Sequence, residues 1–393
     1  MGDEAVREVL AAVRALAPTL RGRAAEAEAA RKVPEASVKE LEACGFFRLL
    51  QPKRYGGLAA HPAAFYTAVK EIAKACGSTG WVSSVVGVHP WHVALYDVRA
   101  QDEVWGEDPS TLICSSYAPT CKVTPVEGGF RVTGAWHFSS GCDHTDWALL
   151  GGMIKDADGR PVDMRTFLVP RNDYTVNDVW DTVGLRGSGS NDIVCEDVFV
   201  PEHRALSFGP VTALKSPGQQ VNPEPLYRLP YASIFTTTIS TPVVGIAEGA
   251  YEAYVAATRE RFRVSYGQQV AEDPFAQVRI ARAASDIDAA WLQLERNITE
   301  LYELAERGAE LPMPLRTRAR RDQVLATERA VAAVDLLMEN AGGSAMRNKA
   351  SNVVQRAWRD AHTGRGHAAN DPERALVLFG QGALGLDIQD TML

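Results

Sequence analysis

The sequence lacks any apolar run near 18 residues, the least a membrane-crossing helix needs, so no span is expected. It also lacks a basic excess. Its 41 Lys and Arg face 49 Asp and Glu, and a net charge of −8 argues against neutralising nucleic-acid phosphates. The opening MGDEAVREVL carries acids where a secretory signal has basic residues, and no apolar segment follows, so a cytoplasmic location is expected. The six cysteines (Cys44, Cys76, Cys114, Cys121, Cys142, Cys195) form no C-x-x-C, which speaks against a disulfide framework or zinc knuckle and for buried free thiols. No strand–GxGxxG–helix unit with a later acid is present, so no nicotinamide site is expected. Internal repeats and low-complexity tracts are missing too.

What is present falls into three textures. Residues 1–110 read as helical: Ala, Glu and Arg dominate 3–29, and Pro34 opens a helix that ends at Cys44-Gly45. Residues 62–76 and 79–97 continue the pattern, the second apolar almost all round and therefore buried. From about 111 the chain turns to short runs rich in Val, Ile, Thr and aromatics, split by Gly128-Gly129 and Asp158-Gly159, which predicts an all-β segment. Long helices return after about 226. In 273–306, Ile287, Trp291, Leu294, Ile298 and Leu301 recur at alternating four and three, the seam of a packed bundle. Further helices are predicted over 316–340, 349–361 and 372–384, and 207–228 reads as a linker.

Within the β segment, Cys142, Asp143, His144 and Asp146 invite a metal reading. They stand too close together to converge as four ligands, and no second ligand pair is evident, so no metal is expected.

The order helical region, β region, helical bundle resembles the acyl-CoA dehydrogenase fold. The resemblance implies an α+β architecture over nearly the whole chain: an N-terminal α-helical domain (1–110), a middle β-barrel or sandwich domain (111–225) and a C-terminal four-helix bundle (226–393). WDTVGLRGSGSNDIVCEDVFVPEHRAL (180–206) is similar to the β-domain signature of that superfamily. WRDAHTGRGHAANDP (358–372) resembles the C-terminal loop of its two-component flavin-dependent monooxygenases, which include p-hydroxyphenylacetate hydroxylase. An acyl-CoA dehydrogenase needs a carboxylate base. In ENAGGSAMRNKAS (339–351) the matching position is Lys349, and YASIFTTTIS (231–240) contains no acid, which favours oxygenation over dehydrogenation.

The resemblance implies reduced FMN or FAD supplied by a separate NAD(P)H:flavin reductase, dioxygen as co-substrate, and a C4a-hydroperoxide that hydroxylates a small phenolic or polycyclic aromatic. A homotetramer is implied as well. In GAWHFSSG (134–141), Trp136 and Phe138 offer flat surface, and Ser139 or Ser140 offers a hydroxyl to the flavin; a plain strand end with turn-capping serines is the alternative. Ser115, Gly187 and Ser188 are further flavin contacts. His367 is the expected base, with His362 in the same loop as a substrate contact and substitute. His89, and more weakly His92, are placed near the substrate, against the plainer possibility of core histidines bonded to backbone carbonyls. Ser140 and His89 join His367 as catalytic candidates. Arg359 and Asp360 are expected to pair with each other and orient the loop.

Overall fold

The computed structural model describes residues 2–263, 267–347, 349 and 351–388. Helices lead: α1 (Gly2–Gly22), α2 (Ala24–Ala30), α3 (Glu35–Ala43), α4 (Pro62–Ala75), α5 (Gly77–Val93) and α6 (Val98–Trp105). Pro34 is the N-cap residue of α3, as its fixed φ suits, and Asp97 caps α6 by accepting from the Arg99 amide. Apart from Gly77 and Val85, every residue of α5 is buried. A helix apolar on all sides has no face to give to water, so α5 runs through the interior.

Two four-stranded sheets follow. One has the order β1 (Ile113–Ser116), β4 (Trp147–Lys155), β5 (Pro161–Pro170), β8 (Ala205–Ser207). The other has β2 (Lys122–Val126), β3 (Gly129–Ser139), β7 (Asn191–Pro201), β6 (Thr175–Asn177). Among the described strands only β1 and β4 run parallel. Phe130, Val132 and Trp136 on β3 meet Leu150, Phe167 and Val169 in one apolar core, the period of two that a two-layer sheet demands. The pairing of β3 with β7 slips between Trp136 and Ser139, and Phe138 takes φ +66°. This bulge ends the alternation just where the chain reaches the functional site.

The stretch expected as a linker is packed instead. It holds α7 (Phe208–Thr212), and Leu226 and Tyr227 are fully buried. The Leu226 carbonyl accepts from Trp91 Nε1 at 3.0 Å, and Asn222 Nδ2 donates to the Ala94 carbonyl at 2.8 Å, so these residues seal the end of α5.

The bundle comprises α8 (Tyr231–Glu260), α9 (Pro274–Glu306), α10 (Met313–Asn340) and α11 (Val353–Arg365), with α12 (Pro372–Ala383) behind. Ile287, Leu294, Ile298 and Leu301 form the buried seam of α9 and Trp291 is half-buried. The segment expected as a C-terminal loop is mostly helix: Trp358, Arg359, Asp360 and His362 lie on α11, and only 366–371 turns. The described cysteines are all free thiols, four of them buried.

Candidate active site

A cavity of about 850 Å³ opens where α5, the ends of β1 and β3, the 180–190 loop, α8 and the turn after α11 converge. Trp81 and Val85 come from α5, Ser115 and Tyr117 from the end of β1, Phe138 and Ser140 from the bulge, and Phe235 from α8. His367 closes one wall, with Arg320 and Arg374 beside it. Such a size holds a large aromatic ligand.

The bulge sorts the WHFSSG residues. Trp136 is fully buried in the sheet core, where Nε1 donates to the Gly151 carbonyl at 2.7 Å, so it offers no surface to a ligand. Ser139 is fully buried and forms no part of the wall. Phe138 turns outward, 71% exposed, and meets Trp180 edge-on at the rim with ring centroids 6.2 Å apart. Ser140 is the serine that faces the cavity. Its Oγ accepts from Trp81 Nε1 at 3.0 Å and lies 2.6 Å from Ser190 Oγ, which lies 2.8 Å from Ser188 Oγ. A one-residue slip in register separates the side chains this way, because it flips every later one.

In the GSGS stretch the expectation shifts by two residues. Gly187 is a packing residue: its amide donates to Ser78 Oγ at 3.1 Å, and a Cβ there would stand 2.8 Å from the Ala27 carbonyl oxygen on α2. Ser188 is buried behind Ser190, and Ser190 reaches the cavity.

The four histidines separate sharply. His89 is buried, with Nδ1 against the Ile113 carbonyl at 2.5 Å and Nε2 against Ser115 Oγ at 2.8 Å. A carbonyl only accepts, so Nδ1 carries the proton and Nε2 takes the Ser115 hydroxyl hydrogen. Burial pushes this imidazole down to about 4, against the opposing pull of the Ile113 carbonyl. His89 therefore lies behind the cavity wall, meeting it through Ser115 and the edge of Tyr117 rather than directly. His92 lies deeper. Its Nδ1 is 2.9 Å from the Tyr117 hydroxyl, Nε2 is buried without a hydrogen-bond partner, and burial followed by the neighbouring His89 lowers it to about 3. His362, expected at the substrate, lies off the cavity wall on α11, with Nε2 2.8 Å from Asp335 Oδ1.

His367 does line the cavity, with Trp81 and Phe235 on either side at centroid distances of 6.0 and 6.2 Å. Its Nδ1 accepts from the Ala369 amide at 3.0 Å. Burial, then the positive field of Arg320, pushes it down to about 4. A neutral ring whose Nδ1 lone pair is engaged keeps its proton on Nε2. His367 thus offers a donor, whereas the base expected from the sequence needs a free lone pair.

Arg359 and Asp360 find separate partners. Arg359 reaches Glu28 at 2.6 Å and the Val183 carbonyl at 2.9 Å, while buried Asp360 accepts from the Leu185 amide at 2.6 Å. Together they pin α11 to the 180–190 loop. Cys142, Asp143 and His144 form a tight turn beneath that loop, with the Cys142 thiol directed at the Gly189 carbonyl at 3.7 Å. Lys349 is exposed and lies off the cavity wall, so no carboxylate takes its place there.

Residues 3–103 match the acyl-CoA dehydrogenase N-terminal domain and residues 237–372 its C-terminal domain. The chain is 55% identical over 381 residues to the flavin-dependent monooxygenase oxygenase subunit HsaA of Rhodococcus jostii (strain RHA1), covering 96% of this chain and 99% of that one. It belongs to the flavin-dependent monooxygenase oxygenase subunits. Two solved structures agree. The HsaA monooxygenase of Mycobacterium tuberculosis superposes with a TM-score of 0.94 at 53% identity, covering 99% of this chain and 100% of that one. XiaF from Streptomyces sp., solved with FADH2 and glycerol, gives 0.90 at 31% identity, covering 100% and 98%. This monooxygenase has no described helix long and apolar enough to cross a membrane.

The residues present fit a flavin. Trp180 and Phe138 supply flat apolar surface at the rim, and the Ser140–Ser190–Ser188 hydroxyls form a chain that can reverse its direction. Such a chain can present either a proton or a lone pair to a ring nitrogen. Trp81, Tyr117, Phe235 and Arg320 were not foreseen. Trp81 sits in a uniformly apolar helix that marks it only as core, and Arg320 sits in a charge run that reads as a solvated face.

Proposed function

We propose that this oxygenase hydroxylates a phenolic, and potentially polycyclic, aromatic, and that reduced FMN or FAD reaches it from a separate NAD(P)H:flavin reductase. The observation that carries the reading is a pair of opposite imidazole tautomers, His367 on the cavity wall and His89 behind Ser115. Reduced flavin, when bound, activates dioxygen and supplies an electrophilic oxygen atom. The chain's own residues then manage one proton. Ser115 Oγ gives its hydrogen to His89 Nε2, so its lone pairs are left to accept a substrate O–H. As the ring is attacked the phenolic O–H turns strongly acidic, and a buried imidazole near 4 is then basic enough to receive the proton through Ser115. His367 holds a proton at Nε2 and donates it as a hydrogen bond to oxygen on the opposite side. Trp81 fixes Ser140, the hydroxyl we assign to a bound flavin's nitrogen edge, and Phe138 and Trp180 at the rim would hold its ring and shield it from water.

The domain division 1–110, 111–225 and 226–393 belongs to the same reading, as does a homotetramer. Phe275, Val278 and Leu292 on α9 are half or more exposed, which supports helix-face pairing between copies, and light scattering at micromolar concentration measures it. A cytoplasmic location fits dependence on a reductase's nicotinamide pool.

The test is reconstitution with a flavin reductase. The isolated chain should leave NADH untouched; with reductase, NADH and a phenol it should form product. Ser115→Ala should lower the hydroxylation rate by about 10²–10⁴ while oxygen is still consumed and appears as hydrogen peroxide. Parent-like coupling in Ser115→Ala overturns the proton assignment, and NADH turnover by the isolated chain overturns the two-component reading.

A further inference from the structure

We infer that Asn370, outside the cavity wall, is the positioning residue that holds His367 in its donor tautomer, acting through the turn between α11 and α12. The inference rests on the reading that His367 serves the reaction as a donor. His367 stands on a turn of six residues, too short to fix a ring by itself, and its tautomer depends on where the Ala369 amide points. Asn370 closes that turn. Its amide donates to the His367 carbonyl at 2.8 Å, and its Nδ2 donates to the Gly364 carbonyl at 2.9 Å. Its Oδ1 accepts from Gln323 Nε2 at 2.7 Å and from Thr327 Oγ1 at 3.1 Å, both on α10.

The partners fix the orientation of both side-chain amides, Asn370 and Gln323. The Gly364 carbonyl can only accept, which assigns Nδ2; Gln323 Oε1 takes a hydrogen bond from Arg320, which leaves Nε2 for Asn370. Asn370 is 2% exposed, and Gln323 and Thr327 are fully buried. A buried polar cluster this fully satisfied is rigid, because losing any member strands another donor or acceptor. Gln323 also fixes Arg320, a cavity residue whose charge helps keep His367 neutral. One bracket from α10 thereby sets both the position of the imidazole and the field around it. Leucine in place of Asn370 would abandon three side-chain partners, and aspartate would set a charge against the Gly364 carbonyl.

The experiment uses the full chain with a flavin reductase, NADH and a phenol, and compares Asn370→Ala, the gentler Thr327→Val, His367→Ala and the double variant Asn370→Ala/His367→Ala. Asn370→Ala should lower product formed per oxygen consumed by about 10–100-fold, with hydrogen peroxide making up the difference. In the His367→Ala background the same substitution should change coupling less than twofold, since the group it positions is gone. Imidazole ¹⁵N shifts should show the His367 proton on Nε2 in the parent and a mixed tautomer in Asn370→Ala, with a weaker change in Thr327→Val. The acid limb of hydroxylation should move up from near pH 4 towards the ordinary histidine range. If Asn370→Ala does not fold, Thr327→Val decides: an unchanged ¹⁵N spectrum and acid limb overturn the inference. Equal losses in both backgrounds also overturn it, because they mean the residue serves stability alone. Parent-like coupling in His367→Ala would sink the functional reading, while the ¹⁵N result would still judge the positioning role on its own.

Discussion

His89 and His367 show how little a residue type says about chemistry until its neighbours are known. Each is a buried imidazole held near 4, yet a carbonyl on Nδ1 leaves one with an accepting Nε2 and an amide on Nδ1 leaves the other with a donating Nε2. The serines divide in the same way. Ser115 gives its hydrogen to His89, and Ser140 takes one from Trp81, which is why the proposed mechanism assigns the first to the proton and the second to the cofactor edge. Trp81→Phe keeps an aromatic side chain but removes the donor to Ser140. Losing one buried hydrogen bond of about 1–2 kcal/mol predicts roughly 5–30-fold faster peroxide release when no substrate is present. Oxygen-electrode traces that match the parent without substrate would show that Trp81 only packs.

Elements matter here chiefly through the seams between them. The 180–190 loop carries Trp180, Leu185 and Ser190 to the cavity and is held against α11 by the Asp360 carboxylate and by close backbone approach. A Cβ on Gly184 would stand 2.1 Å from the Arg359 carbonyl oxygen and 2.3 Å from its carbon. Backbone cannot give way as a flexible side chain does. Gly184→Ala should therefore cost about 1–3 kcal/mol or more, seen as a lower urea midpoint. It should also loosen the flavin site, since the same loop supplies part of the wall. A midpoint unchanged within 0.5 kcal/mol, about the noise of surface substitutions, would mean the seam is slack.

For the molecule as a whole, burial of titratable groups sets the response to acid. His89, His92 and His367 have folded values of about 4, 3 and 4, below the ordinary histidine value. Their contribution to stability is therefore present above about 6.5 and is lost as pH falls through the folded values. Burial lifts Asp360 the other way, to about 6, so its contribution is complete at low pH and is lost as pH rises through 6. Between pH 6 and 4 the two effects oppose, and three imidazoles outweigh one carboxyl. Unfolding free energy should fall on acidification by up to roughly 3 kcal/mol per pH unit. In Asp360→Asn the fall should steepen, because the opposing group is gone. Urea titrations at several pH values check both signs, and a flat profile in the parent would contradict the burial of these histidines.

Some of this was legible in the chain alone. Periodicity exposed the α9 seam, the total apolarity of 79–97 exposed a buried helix, and alternating β-formers exposed the sheet region, because each depends on local pattern meeting one environment. Ser115, Ser140 and His367, which line the cavity, were singled out through their resemblance to a family. Their neighbours were not. The bulge that buries Trp136 and turns out Phe138 shifts register by an amount no local pattern carries, and His362 leaves the site because α11 runs one turn further than a loop would. Tautomers lie furthest from sequence. The Ile113 carbonyl is 24 residues from His89, and Gln323 is 47 from Asn370, so only the folded chain decides which nitrogen keeps the proton. Hydrogen bonds across such separations are fixed by tertiary packing, and the chemistry of the cavity is fixed with them.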